Sequence, residues 1–365
     1  MRLEHLWEYG SAIASGPVPR LLTENPDVFH QAKDAVRAAG LAAASSSGTD
    51  DTGARPQGQN GHGTALGNER FAYFESSASK SRLNFLPVRQ GPQRHDASNE
   101  TTRASGERPK RPAAAFAQRI QGPPEGAGED AWTARRAALG ITNERPVLSV
   151  TAGALWGGWI AQGVAPDLGI VSEGAPPFVI WVHAAWWVHA ERPLAKRVPH
   201  PAEHRGAIEQ IRARIWDLYQ DRTAYRAQPD DTQRPLLAAR FDAFVGQRTG
   251  YPNSNAVLTD MRDHPADWRR VLERPEIPLH HNALESDIRE YVQRRTISGG
   301  PRSAAGRRGR DTIASLQKTC RKLGSRFWDY CQDRVRGRGH IPRLADLIRQ
   351  KAPEPATQNA AAVPV

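Results

Sequence analysis

The chain has 365 residues, of which 39% are hydrophobic and 24% charged, so it can bury one sizeable core with a smaller second unit. No apolar run approaches the roughly 18 residues of a membrane span, and the first residues, MRLEHLWEYG, lack the basic-then-apolar order of a signal peptide; we therefore expect a cytoplasmic protein with no membrane partner. The net charge of +11 favours partners that carry phosphate.

The cysteine content is low. Cys320 and Cys331 have neither CxxC spacing nor a paired framework, which argues against disulfides and against a structural zinc site. We expect reduced cysteines in the core or at the surface.

The positive charge is concentrated in one late segment. Between Arg289 and Arg326, eleven arginines and lysines stand against two acids, Glu290 and Asp311. Such a cluster is typical of a surface that binds nucleic acid, but a solvated helix face has the same composition. Charge alone leaves both interpretations open.

The first part of the chain predicts helices followed by a hairpin. A short helix, a Gly-Pro break and a second helix from about Asp27 to Ala43 precede the polar run SSSGTDDTGAR, which interrupts the helical pattern. GTALG and RFAYFES alternate as a β-hairpin, with Phe71 and Tyr73 on one face and Ala72 and Phe74 on the other. SRLNFLPVR then predicts a short helix.

The middle of the chain changes composition abruptly. Residues 90–130 are rich in Gly, Pro, Ser and charge, which indicates a flexible or unfolded insertion. AWTARRAALGIT and TAGALWGGWIAQG predict helices, and DLGIVS predicts the best buried strand of the chain. Glu173 stands directly at the C-terminal end of this strand, where open α/β sheets usually present their chemistry.

The rest of the chain is mainly helical. A block of nearly ninety residues has apolar residues at helical spacing, including Ile208, Ile211 and Ile215. A helix starting near Asn282 and two amphipathic helices follow. We divide the chain into an N-terminal helical segment (1–45), two parts of an α/β domain (46–190 and 278–335), a helical insertion (191–277) and a largely disordered tail (336–365).

Three acids stand where an α/β domain could bring them together. They are Asp50 or its neighbour Asp51 before the hairpin, Glu173 after the buried strand, and Glu285 on the late helix. Carboxylates from separate elements can hold two divalent ions for phosphodiester transfer. Alternatively, Glu285 and Arg289 form an ordinary surface ion pair one helical turn apart.

Histidines and tryptophans offer weaker signals. His183 and His189 are six residues apart and His280 and His281 are adjacent, and neither spacing is that of a helical metal pair, which favours structural or solvent roles. The tryptophans could stack on bases, but we favour core positions for them. These are Trp156, Trp159, Trp181, Trp186 and Trp187.

Three blocks of the sequence closely resemble the insertion sequence 66 family of DDE transposases. They are DDTGARPQGQNG…ALGNERFAYFESSASKSRLNFL, DLGIVSEGAPPF…HAAWWVHAER, and RPEIPLHHNALESDIREYVQRRTISGGPRS continuing to FWDY. The resemblance runs from about Asp50 to Arg334, leaving out the low-complexity stretch, and is nearly continuous over the last block. It places the chain on the catalytic part of such a transposase.

The resemblance implies an α/β fold of the RNase H-like, retroviral-integrase-like type, interrupted by an all-helical insertion. It also implies cleavage and strand transfer of DNA with Mg²⁺ or Mn²⁺. Position by position, the three acids that would bind metal fall on Asp50, Glu173 and Glu285, and Arg289 matches an arginine of the family. The arginines expected to contact the DNA backbone are Arg289, Arg294, Arg295, Arg302, Arg307, Arg308 and Arg310.

The expected partners follow from the same resemblance. They are transposon ends, target DNA, further copies of the chain assembled on DNA, and accessory proteins of the same mobile element. The implied location is the bacterial cytoplasm, at the nucleoid.

The chain departs from the family pattern at several positions. The family has aspartate where this chain has Glu173, whose extra methylene shifts a ligand oxygen by about an ångström in a site whose metal ions lie about 4 Å apart. Pro176 and Pro177 replace Gly and Gln, and Trp186 replaces a cysteine. We therefore expect a partly decayed copy with impaired activity, and we expect it to be truncated because the resemblance covers only the catalytic part of the family. The alternatives are an inactive DNA-binding remnant and an RNase H-like nuclease without strand transfer.

Overall fold

The computed structural model describes residues 26–54, 61–77, 129–143, 168–173, 182–195, 202–298 and 303–352, together with Val147 and Thr151. Several sequence predictions lie outside these ranges. They concern the first helix, the short helix at 81–89, the insertion at 90–130 as far as residue 128, nearly all of the helix at 151–163, Pro176 and Pro177, three of the tryptophans, Arg302 and the end of the tail.

A mixed five-stranded sheet organises this α/β fold. Its strands are β1 (Ser46–Ala54), β2 (Gly61–Gly67), β3 (Ala72–Ser77), β4 (Gly169–Ser172) and β5 (Val182–Ala185), in the order β3-β2-β1-β4-β5. β2 is antiparallel to β1 and β3, whereas β4 is parallel to β1 and β5. β1 is therefore the central strand, with hydrogen-bonded neighbours on both sides.

Helices pack on both faces of the sheet and along the edge formed by β3. The helices of the described residues are, in chain order, α1 (Pro26–Ala42), α2 (Glu129–Ala138), α3 (Arg192–Ala195), α4 (Ala202–Ala227), α5 (Gln233–Val245), α6 (Pro252–Asp263), α7 (Pro265–Glu273), α8 (Asn282–Ser298), α9 (Ala304–Leu323), α10 (Phe327–Val335) and α11 (Leu344–Gln350). A 3-10 turn, Trp187–His189, joins β5 to α3. No helix in the described part of the chain has both the length and the apolarity that a membrane span requires.

The two faces of the sheet have separate apolar cores. On one face, α1, α9, α10 and α11 pack against side chains of the strands such as Leu66 and Ile170. On the other face, Leu284 and Ile288 of α8 pack against Ala65 and Phe74. Burial of these side chains supplies the main free energy that holds the helices on the sheet.

The hairpin prediction is confirmed, including its faces. β2 and β3 pair from His62 opposite Ser77 to Gly67 opposite Ala72, and Asn68 Oδ1 accepts from the Arg70 and Phe71 amides in the turn. Tyr73 belongs to the core with α1, while Phe74 belongs to the core with α8. The strand ending before Glu173 and the helices predicted within the described ranges are also present.

The run SSSGTDDTGAR interrupts the helical pattern, as predicted, since α1 ends at Ala42, but most of the run forms β1, which its residues did not predict. Its small polar residues have low strand propensity, but a central strand gains ladder hydrogen bonds from both neighbours. Small size is required here: a Cβ at Gly48 would lie 2.8 Å from the His281 ring and 2.9 Å from Leu284. Tertiary packing therefore overrides local preference.

Two further predictions need correction. The segment of β5 was not predicted as a strand, since its four residues are too few to show alternation. The prediction of a largely disordered tail over 336–365 is wrong for residues 336–352, which contain α11. Leu344 and Ile348 are fully buried against the core beside α1.

The helices α4 to α7 form their own apolar core. Ile208, Ile211, Ile215 and Leu218 lie on one face of α4 and are all buried. This core also contains Trp187 and Leu279 from the chain on either side of the helical segment. Their inclusion fixes the helical segment beside the end of β5.

Helix α9 covers the outer edge of β3 with polar side chains. The amides of Ala72, Phe74 and Ser76 donate to Thr319 Oγ1 (3.2 Å), Ser315 Oγ (2.9 Å) and Asp311 Oδ2 (2.8 Å), respectively. The three acceptors are spaced four residues apart on one face of the helix, matching every second residue of the strand. The helix thus satisfies an edge that would otherwise be open to pairing with another chain.

We expect Thr319→Val to lower the free energy of unfolding by about 1–3 kcal/mol, because the shape is retained while the buried Ala72 amide loses its acceptor. Urea denaturation measures the change. Thr223→Val is the matched control, since Thr223 is an exposed threonine whose hydroxyl donates to Tyr219 O of its own helix, and should cost less than about 0.5 kcal/mol. Equal effects of the two substitutions would contradict the role given to α9.

Candidate metal centre

The register of β1 and β4 brings two of the predicted acids together. Gly48 is paired with Val171 in the parallel ladder, so two residues further along each strand Asp50 lies beside Glu173. Asp50 is opposite Ala65 on β2, and Ala65 belongs to the core with α8. The Asp50 side chain therefore lies on the face of the sheet that α8 covers.

Asp50, Asp51 and Glu173 form an acidic group. One carboxylate oxygen from each residue lies within 4.8 Å of the other two. The Asp51 amide donates to Asp50 Oδ1 at 2.8 Å, which fixes the first carboxylate relative to the strand. Asp51, which the sequence left as an alternative to Asp50, thus belongs to the group together with it.

The Asp50 carboxyl is electrostatically unfavourable in its charged form. Burial, the largest cause, and the neighbouring Glu173 and Asp51 carboxylates together raise its pKa to about 6, although the hydrogen bond from the Asp51 amide opposes the shift. The charged Asp50 carboxylate is therefore partly desolvated, and the groups around it do not stabilise its negative charge enough to offset this cost. A divalent cation would relieve this charge, and oxygen is the ligand atom that Mg²⁺ and Mn²⁺ prefer.

His189 adjoins the acidic group from the 3-10 turn. Its Nδ1 lies 3.5 Å from Glu173 Oε2, and its ring stacks on Trp186 with 4.2 Å between centroids and 8° between planes. Trp186 is buried, as the sequence favoured for the tryptophans, and Trp187 is buried in the helical core. The stacked indole restrains the imidazole at a fixed position next to Glu173.

Glu285, the third predicted acid, does not belong to the acidic group. Arg192 Nη2 lies 2.6 Å from Glu285 Oε1, and Arg289 Nη2 lies 3.4 Å from the same oxygen. The pair with Arg289 matches the simpler alternative given for these residues. The structure therefore brings Asp50 and Glu173 together, whereas Glu285 is paired with Arg192 and Arg289.

Glu173, His189 and Arg192 line a cavity of about 700 Å³ between the end of β4 and helices α6 and α7. The cavity also contacts Trp268 and His264. Because Glu173 of the acidic group and Arg192, which pairs with Glu285, both line this cavity, the acidic group and the Arg192–Glu285 pair lie in one region of the surface.

The predicted DNA-binding arginines within the described residues, which leave out Arg302, fall into two sets. Arg294 contacts Glu290 and Gln317, Arg295 donates to Gly53 O at 2.7 Å, and Arg310 donates to Ser76 Oγ at 2.8 Å. These three hold secondary-structure elements together, so their guanidinium groups have intramolecular roles. Arg289 and Arg308 are exposed, and Arg307 is half-buried.

A buried chain of polar groups links the helical segment to the strand before Glu173. Ser172 Oγ lies 2.9 Å from His183 Nε2, and His183 Nδ1 lies 2.9 Å from Asp267 Oδ2. The order resembles a nucleophilic triad, but Ser172 has no exposed surface, so no substrate reaches its hydroxyl. We interpret the chain as a clamp between α7 and β4, consistent with the structural role favoured for His183.

Comparison with curated proteins finds a relative from Sinorhizobium fredii (strain NBRC 101917 / NGR234) described as "Uncharacterized protein y4jO". The two are 36% identical over 319 residues, which make up 86% of this chain and 99% of y4jO. The chain belongs to the y4jO family. No protein-family model and no solved structure matches the chain.

Sequence reasoning on this member of the y4jO family missed the contacts of His189 and Arg192. His189 follows Glu173 by sixteen residues, and only the β4–β5 pairing shows that the two are close. Arg192 is 93 residues from Glu285. Neither pairing has a local spacing signal, although HAAWWVHAER lies in the second of the three blocks that resemble the transposase family.

In metal-free buffer we expect Asp50→Asn to raise the free energy of unfolding by about 1–3 kcal/mol at pH 7.5. The folded-state pKa of Asp50, about 6, exceeds the ordinary value of 3.8, so the folded protein binds more protons between these values and loses stability as the pH rises through them. The gain should vanish near pH 4. Urea denaturation with a chelator measures it.

Asp217→Asn is the matched control for this pH dependence, because the Asp217 side chain is 53% exposed on α4. Its effect should stay within about 0.5 kcal/mol at every pH. A gain for Asp50→Asn that is constant from pH 4 to 7.5 would show that the Asp50 carboxyl carries no raised pKa.

Proposed function

We propose that the chain is a DDE transposase that cleaves and joins DNA with Mg²⁺ or Mn²⁺, built on an RNase H-like fold. The observation that carries the proposal is the convergence of Asp50, Asp51 and Glu173 where the central strand β1 meets the end of β4. Two of the acids that the sequence resemblance assigns to metal binding are in this group.

The topology supports the proposal. Three antiparallel strands followed by two parallel ones, with the acids on the central strand and after its parallel neighbour, is the arrangement expected of an RNase H-like core. α8, which carries Glu285, packs on the same face as Asp50. The third acid is thus on the correct side of the sheet, although Arg192 holds its carboxylate.

The residues fit a divalent cation. Three carboxylates from adjacent positions offer hard oxygen ligands, and the raised pKa of Asp50 reflects negative charge that a cation would neutralise. When bound, Mg²⁺ or Mn²⁺ would activate the attacking oxygen and stabilise the leaving oxygen of a phosphodiester. Asp50 and Glu173 would hold the ion, His189 would fix the Glu173 carboxylate, and Arg289 would contact the DNA backbone.

The test is cleavage of a supercoiled plasmid carrying the DNA that flanks the gene, with Mg²⁺ or Mn²⁺. We expect Asp50→Asn, Glu173→Gln and Glu285→Gln each to reduce cleavage by at least about 100-fold, since Asp50 and Glu173 would hold the ion and the resemblance assigns Glu285 to the same metal centre. Glu209→Gln, an exposed residue of α4, is the matched control and should leave cleavage unchanged.

The products of the same assay separate the alternatives. Metal-dependent cleavage with joined products supports a transposase, and cleavage of arbitrary DNA without joining would favour an RNase H-like nuclease. DNA binding with no cleavage under any metal condition would mean that the chain is an inactive DNA-binding protein, contrary to the proposal.

Glu173→Asp tests whether glutamate at this position, where the transposase family has aspartate, impairs activity. We expect Glu173→Asp to increase cleavage by about tenfold or more, because the shorter side chain restores the ligand position that the resemblance implies, and a shift of about 1 Å at a reacting centre can cost about 100-fold in rate. Initial cleavage rates measure the change. An unchanged or lower rate would show that Glu173 is not the cause of impaired activity.

A further inference from the structure

Glu285 occupies a site made of two arginines from different elements. Arg192 is the first residue of α3, and Arg289 lies one turn after Glu285 on α8. Both guanidinium groups approach the same oxygen, Oε1, at 2.6 and 3.4 Å. Guanidinium groups bind carboxylate and phosphate oxygens with the same donor geometry, so the same two groups have the donors that a phosphate requires.

The two arginines are accessible to a ligand from solvent. The side chains of Arg192 and Arg289 are 43% and 68% exposed, whereas that of Glu285 is 24% exposed. Partly exposed ion pairs contribute little net stability, so a competing anion can replace the carboxylate at small cost. Arg192 also lines the cavity that Glu173 and His189 line, which places this anion site next to the acidic group.

We propose that Arg192 and Arg289 bind a backbone phosphate of DNA and that Glu285 occupies this site only while DNA is absent. DNA binding would then replace one anion by another, because the phosphate would bind the two arginines in place of the Glu285 carboxylate. The released Glu285 carboxylate would complete the metal centre with Asp50 and Glu173. This inference rests on the proposed function. It assigns to Arg192 a positioning role that couples DNA binding to assembly of the site.

The test measures the dissociation constant of Mn²⁺ for the full chain. The concentration of free Mn²⁺ is monitored by its electron paramagnetic resonance signal. Without DNA, we expect Glu285→Gln to change the dissociation constant by less than about twofold, because Glu285 is not yet a ligand. Arg192→Gln should tighten Mn²⁺ binding by about tenfold, and Glu285→Gln should abolish this gain in the double variant, since the gain comes from a released carboxylate ligand. A short DNA duplex should produce the same tightening in the unaltered chain.

Arg214→Gln is the matched control, because Arg214 is 61% exposed on α4 and pairs with Asp217 away from the site. Arg289→Gln is a second test variant and, like Arg192→Gln, should tighten Mn²⁺ binding in the absence of DNA. Far-ultraviolet circular dichroism confirms that each variant is folded before its Mn²⁺ binding is compared.

The outcomes separate this inference from the proposed function. A strong loss of Mn²⁺ affinity in Glu285→Gln without DNA, or no response to Arg192→Gln, would overturn the exchange while leaving the metal centre intact. Absence of any Mn²⁺ binding that depends on Asp50 would overturn both. The salt dependence of DNA binding gives an independent check: Arg192→Gln should reduce the slope of log K against log salt by about 1, and Arg214→Gln should not.

Discussion

Parallel hydrogen bonding between β1 and β4 is the interaction on which the candidate site depends. It sets Gly48 opposite Val171 and thereby brings Asp50 beside Glu173. A slip of one residue would turn Asp50 to the opposite face of the sheet and place its carboxylate away from α8. Gly48 helps to exclude this slip, because only a residue without a Cβ fits beneath His281 and Leu284. Packing of α8 therefore specifies the register that the acidic group requires.

Much of the fold could be predicted from the sequence because its elements have clear periodicity. The hairpin alternates, Ile208 and Ile215 recur at helical spacing, and the helix starting at Asn282 has an apolar stripe. β1 could not be predicted from its own residues, because a central strand of small polar side chains is specified by its two neighbouring strands and by α8. The helix containing Leu344 was missed for a related reason: seven residues show too little periodicity, and burial against α1 stabilises it.

The site was only partly predictable. Sequence resemblance indicated Asp50 and Glu173, and the sheet brings them together. The same resemblance indicated Glu285, whose position depends on Arg192, a contact across 93 residues that no spacing rule encodes. Arginines are long and flexible, so a list of basic residues does not show which of them hold the fold and which face a ligand. Arg295, which donates to the backbone at the end of β1, belongs to the former.

Crystals of the DNA-free protein soaked in Mn²⁺ would test the central claim most directly, through anomalous scattering at the manganese edge. We expect a peak within about 2.0–2.6 Å of carboxylate oxygens of Asp50 and Glu173, with Glu285 still bound to Arg192. Such a peak would show that the convergence of β1 and β4 creates a cation site. A map with no manganese between these two carboxylates, or with manganese bound only elsewhere, would contradict a metal centre at Asp50 and Glu173.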